Sequence, residues 1–118
     1  MEVEIFGPGL FAVQVVGESR RQGVLAAAAA RGGEVSAVLR PEDDNPHDPN
    51  AVRVEIEGQL CGYLPRDTAR LYRGNLAAAG DARLVVRCRA RIAGGFLRPD
   101  GARAYYGLKL DLPPMVEE

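Results

Sequence analysis

The run Asn45-Pro46-His47-Asp48-Pro49-Asn50 constrains the fold more than any other stretch. Each proline fixes φ and lacks an N–H, and each pushes the residue before it toward extended geometry. The run is therefore neither helix nor central strand. Residues 51–56 follow at once in strict alternation, with Val52, Val54 and Ile56 on one face. That is the period of a half-buried strand. The sequence predicts a stiff polar loop at the mouth of a β-element, and loops held on strand scaffolds tend to carry function. The single histidine of the chain, His47, lies inside it.

The rest of the chain arranges itself around that unit. Residues 1–10 read as a leader broken by Gly7-Pro8-Gly9. Residues 11–16 predict a first strand, with Phe11, Val13 and Val15 inward. Ser19 is a candidate N-cap for an alanine-rich helix over 20–31, which Gly32-Gly33 stops. Residues 34–40 predict a second strand and 51–56 a third. Glu57-Gly58 sits where a two-residue hairpin turn belongs, and 59–64 returns as a fourth strand. Pro65 opens a helix over 66–79, where Leu71, Tyr72, Asn75 and Leu76 fall on one stripe. Residues 84–92 are the longest strand, and 105–112 the last. One domain over 11–112 and a tail over 113–118 result. The order β-α-β-β-β-α-β-β, mainly β with two helices, predicts a small OB-like β-barrel.

At 118 residues and 47 % apolar, the chain can fold around a core of its own. Cys61 and Cys88 match no metal spacing and read as small apolar core residues of a reducing compartment. No apolar run approaches the ~20 residues that span a bilayer, and Met1-Glu2-Val3-Glu4 lacks the basic start of a signal peptide. A cytoplasmic location and no membrane partner are expected. The net charge of −1 argues against a strongly basic, sequence-blind nucleic-acid binder. Lys109 is the sole lysine, so any phosphate contact falls to arginine, whose planar fork suits it.

Asn45, His47, Asp48 and Asn50 set two amides, an imidazole and a carboxylate close together. Such groups suit hydrogen bonds to hydroxyls and base edges. The alternative is an Asx-type turn in which Asp48 and Asn50 bond only their own backbone. An EF-hand counted from Asp44 would place Pro49 where glycine is required, so no metal and no cofactor are expected. One histidine, two apolar cysteines and no G-x-S-x-G supply no nucleophilic set, and no enzyme activity is expected. Arg87, Arg89 and Arg91 line one strand face, either as a phosphate track or, preferably, as a solvated outer surface. Phe96, after Gly94-Gly95, is an aromatic on a loop, either a base-stacking group or an anchor for the barrel end.

Asn45-Pro46-His47-Asp48-Pro49-Asn50-Ala51-Val52, one hairpin, then Gly62-Tyr63-Leu64-Pro65-Arg66 together resemble the HIRAN domain, as does Val15-Val16-Gly17-Glu18-Ser19. The resemblance covers about residues 11–112. The family occurs at the front of eukaryotic helicase-like DNA repair proteins and as bacterial domains, stand-alone or fused, and in length this chain is similar to the stand-alone ones. The resemblance implies an OB-like barrel that recognises the 3′ end of single-stranded DNA without catalysis. It implies that Asp48 contacts the 3′-hydroxyl and that Asn45 lies beside it. His47 stands in place of an aromatic, Arg66 at a basic position and Phe96 at a loop aromatic. One departure is present. Ser19-Arg20-Arg21 occupies the turn where DNA-binding members carry stacking aromatics, so Arg20 offers a guanidinium plane instead. The implied partner is a single-stranded DNA 3′ end, with a protein such as a helicase or nuclease beside it. The competing expectation is a protein-interaction or regulatory module that shares the fold without binding DNA.

Overall fold

The alternating run after the proline loop forms a strand, Val52–Ile56, that pairs on both edges. In the computed structural model, which describes residues 2–117, the elements run β1 (Glu2–Glu4), β2 (Val13–Gln14), a 3₁₀ turn (Glu18–Arg20), α1 (Gln22–Ala29), β3 (Glu34–Pro41), β4 (Val52–Ile56), β5 (Gln59–Tyr63), α2 (Arg66–Ala78), β6 (Val85–Gly94) and β7 (Tyr106–Asp111). Glu57 and Gly58 turn the β4–β5 hairpin with positive φ at both positions, the mirror-image geometry that matches strand twist. Val54 pairs with Gly62 but Glu55 pairs with Leu60. Cys61 is thus the extra residue of a bulge, which bends β5 and re-aims the side chains beyond it.

The sheet path is β2-β7-β6-β3-β4-β5, antiparallel at every step, and it curls strongly into a half-barrel of OB-like form. The chain beyond β2 links its two ends. The Val15 N–H donates to the Leu108 carbonyl at 2.9 Å, still on β7. Val16 and Tyr63 then exchange both backbone hydrogen bonds at 2.9 Å. Gly62 makes this approach possible, because a Cβ there would lie 2.5 Å from the Val16 carbonyl oxygen and 2.6 Å from a Val15 methyl. The core inside the curl is built from strand residues such as Leu39, Val54, Leu108 and Leu110, closed by Leu25 of α1 and Tyr72 of α2. Each such Leu contributes ~1.5–3 kcal/mol through burial. Cys61 and Cys88 are buried and unpaired, as expected of core residues, and burial pushes their thiols up to about 11 and about 12.

Four local expectations are corrected. Glu2–Glu4, read as leader, is a strand lying parallel on β6. Three residues are too few to show a period, and their partner is about eighty residues away in the chain. Phe11 does not share the inward face of Val13 and Val15. Its φ of 49° breaks the alternation and buries the ring outside the core cluster, 4.0 Å from the Arg91 guanidinium and 5.3 Å from that of Arg89. Ser19 is not an N-cap. It is taken up in the 3₁₀ turn, and α1 starts after Arg21 without a side-chain cap. The Gln22 amide holds that helix start instead, donating to the Tyr106 carbonyl at 2.9 Å and accepting the Tyr106 N–H at 2.7 Å. Of the expected tail over 113–118, residues 113–117 lie along α2, where the Asn75 side chain bonds both the N–H and the carbonyl of Val116, and residue 118 lies outside the described residues.

Candidate nucleic-acid interface

The proline loop spans the gap between β3 and β4, and hydrogen bonds fix its path. The Glu42 N–H donates to the Ala51 carbonyl at 2.8 Å and closes the base. Asn45 Oδ1 accepts the N–H groups of both His47 (2.8 Å) and Asp48 (3.1 Å), while its Nδ2 donates to Glu42 Oε1 at 3.0 Å. Asp48 Oδ1 accepts the Asn50 N–H at 2.9 Å. These are Asx turns, the short-range bonding that Asn and Asp bring to loops. Both lone pairs of Asn45 Oδ1 are therefore used, and what remains of its amide is one N–H of Nδ2. Asp48 differs. Among the described residues its Oδ2 has no hydrogen-bond partner.

Two outside contacts steady the loop. Arg66, the first residue of α2, donates to the His47 carbonyl at 3.0 Å. Asp43 is paired with Arg73 and, at 2.8 Å, with Arg83. The hydrogen bond from Arg73, with the charges of both arginines, holds the Asp43 carboxyl below its ordinary value.

Asn45, His47, Asp48 and Arg66 come together as walls of one cleft of about 210 Å³. Its apolar floor is Val16, Ala51 and Leu64, with Tyr63 at one side. The Tyr63 hydroxyl donates to Glu42 at 3.2 Å, and its acidity is weakened first by burial and then by that carboxylate. The sequence does not single out Tyr63 and Val16 as site residues. The signal for Tyr63 is its place inside Gly62-Tyr63-Leu64-Pro65-Arg66, but its orientation depends on the Cys61 bulge. Val16 is 43 % exposed at the point where the barrel ends meet. The two other expected residues do not line this cleft. Arg20 lies on the 3₁₀ turn, which packs against β5 and β7. Phe96 is 63 % exposed on the hairpin between β6 and β7.

On the other side of Tyr63 and Asn45 is a wider hollow with Arg40, Arg53 and Glu42 in its wall. Its charges cancel. Glu55, buried in β4, is 2.8 Å from Arg53 and 3.3 Å from Arg40. The outer arginine stripe is likewise partnered. Arg87 meets Glu2 at 2.6 Å, and Arg89 meets Glu34 at 2.7 Å. The Arg89 hydrogen bond keeps the Glu34 carboxyl below its ordinary range.

The loop and the Gly62–Arg66 segment thus meet in one cleft, which holds Asn45, His47, Asp48 and Arg66 but neither Phe96 nor Arg20. The HIRAN domain family matches residues 8–93. The chain belongs to the HIRAN domain family. The match spans most of the chain, from the leader to the end of β6. The expected extent was 11–112, so β7 and the hairpin with Phe96 lie beyond the matched segment of this HIRAN domain. No curated protein and no solved structure matches the chain. HIRAN domains are generally linked to recognition of single-stranded DNA 3′ ends, and they are typically non-catalytic binding modules. No described helix of this one is long and apolar enough to cross a membrane.

Proposed function

We propose that this HIRAN domain is a non-catalytic module that binds the 3′ end of a single-stranded DNA in the Asp48 cleft. The observation that carries the reading is the carboxylate itself. Asp48 uses one oxygen to close its own turn and leaves the other open in a cleft with an apolar floor. A terminal 3′-hydroxyl is a donor of the right kind for that oxygen, and a hydrogen bond to a charged acceptor is about twice as strong as a neutral one. A 3′-phosphate would meet like charge there. The apolar floor of Val16, Ala51 and Leu64 receives the sugar. Asn45 has one N–H left, so it reads an acceptor and not a donor. Arg66 has no carboxylate partner among the described residues and stands at the start of α2, where the helix dipole also favours an anion. It takes the terminal phosphodiester. His47, exposed on the loop, stacks on the base, and Arg20 and Phe96 contact the strand as it leaves. A role in DNA repair or processing, with a helicase or nuclease as partner, accords with this reading.

Fluorescence anisotropy at low salt tests it with a labelled strand ending in either a 3′-hydroxyl or a 3′-phosphate. Salt-sensitive binding that prefers the hydroxyl end by about tenfold or more is expected. Equal affinity for the two ends removes the role given to Asp48. No binding of either strand favours the protein-interaction module.

A further inference from the structure

We propose that the β6–β7 hairpin and the start of α1 form a second contact surface on the same strand, in which Tyr105 stacks on a base and Arg103 meets the backbone upstream of the 3′ end; this rests on the 3′-end reading above. The hairpin displays three large apolar side chains to solvent, Phe96, Leu97 and Tyr105, the last 72 % exposed. They are held in place. The β6–β7 register continues through the Leu97–Arg103 bridge, the Ala104 N–H donates to the Phe96 carbonyl at 2.9 Å, and the Arg98 N–H donates to the Ala102 carbonyl at 2.7 Å. Gly94 and Gly95 let the hairpin press onto its own base. A Cβ on Gly95 would lie 2.1 Å from the Tyr106 ring, and one on Gly94 2.2 Å from the Tyr105 carbonyl oxygen. Tyr106 takes the sheltered place, and Tyr105 is left facing a cleft of about 380 Å³ shared with Arg103 and with Gln22, Gly23 and Ala26 of α1.

Charge identifies the occupant. Ten of the fourteen arginines are paired with a carboxylate within the fold. The four with no such partner among the described residues are Arg20, Arg21, Arg66 and Arg103. Arg66 borders the Asp48 cleft and Arg103 the hairpin cleft. Arg20 and Arg21 lie between them, because Val16 lines the first cleft, Gln22 lines the second, and the 3₁₀ turn joins the two. In a chain of net charge −1, the four arginines without a carboxylate partner thus fall on the two clefts and on the turn of chain that joins them. Arg66 and Arg103 each donate to one backbone carbonyl, of His47 and of Gly95, but neither charge is neutralised by a carboxylate. Guanidinium groups without a carboxylate partner beside stacking rings are the chemistry of a single-strand path, where each stack is sequence-tolerant and each phosphate contact releases counterions. An acidic peptide would use the arginines but gain little from the flat faces of the two exposed rings, Phe96 and Tyr105.

The test compares 3′-hydroxyl DNA strands of about two and about eight nucleotides, lengths that fall below and within the footprint of one such barrel. Wild-type protein is expected to bind the longer strand more tightly. Tyr105→Ala should weaken the longer strand about tenfold and leave the shorter one, and the preference for a 3′-hydroxyl, unchanged. Tyr105→Phe should behave as wild type, and Arg103→Gln should flatten the salt dependence of the longer strand alone. End-selective binding with no length dependence, or a Tyr105→Ala that weakens neither strand or both equally, overturns this proposal and leaves the 3′-end reading standing. Wild-type protein that binds no strand overturns both.

Discussion

Asp48 divides its carboxylate between two tasks. Oδ1 closes the turn to Asn50, and Oδ2 is the free acceptor in the cleft. The two tasks separate by substitution. Asp48→Asn keeps a carbonyl oxygen for the Asn50 N–H but replaces the charged acceptor with a neutral amide. It should unfold within ~0.5 kcal/mol of wild type and lose the preference for a 3′-hydroxyl over a 3′-phosphate end. Asp48→Ala should lose the same preference and also the turn bond, at a cost of ~1 kcal/mol. Thermal unfolding beside anisotropy with both strand ends reads both effects, and full end preference in the Asn variant would move end reading to another residue. At this scale the sequence was legible in kind and not in assignment. The density of hydrogen-bonding groups in Asn45–Asn50 marked the loop. Which lone pairs the loop spends on itself depends on its folded path, so Asn45 as a turn-former and Asp48 as half free were both out of reach. Tyr63 was hidden for a similar reason, since a one-residue bulge decides where it points.

The loop behaves as an element because α2 holds it at two places, Arg66 on the His47 carbonyl and Arg73 on Asp43. The second tether titrates. Asp43 has a folded-state value below its ordinary one, so its contribution is complete above the unfolded value of ~3.9 and disappears as the pH falls through the lower folded value. An NMR titration of the Asp43 carboxyl should give a midpoint below ~3.9, and Arg73→Gln should move that midpoint upward toward it. The amides of residues 43–51 should shift together with that midpoint. A carboxyl that titrates at the same pH in both proteins would dissolve the tether. Element boundaries from β3 to β6, and α2, were legible to within a residue or two, because alternation and the helical stripe run long enough to be counted. Elements fixed from a distance were not. β1 exists through its pairing with β6, and α1 begins where the Gln22 amide meets Tyr106.

For the molecule as a whole, the alternation of its strands specified a curled, one-sided sheet, but not how its ends meet. Among the described residues they meet through the backbone pair of Val16 with Tyr63, and both residues also line the Asp48 cleft. The closure of the barrel and the wall of the proposed strand cleft are therefore one structural feature. Gly62 carries it, since neither atom that a Cβ would strike is a flexible side-chain end: one is the Val16 carbonyl oxygen and the other a methyl of fully buried Val15. Gly62→Ala must push the two segments apart by several tenths of an ångström or more. The cost expected of such overpacking is ~1–3 kcal/mol, read as a lower denaturant midpoint. The consequence for binding is sharper than the consequence for stability. Val16 would move away from the apolar floor, and strand affinity should fall in a protein that is still folded at room temperature. Amide exchange distinguishes this from general loosening. The Val16 and Tyr63 N–H groups, which bond each other's carbonyls, should exchange faster in the variant, while those of the β3–β6 ladder keep their protection. A Gly62→Ala protein with an intact Val16–Tyr63 pair and undiminished binding would show that the two ends of the barrel meet with room to spare.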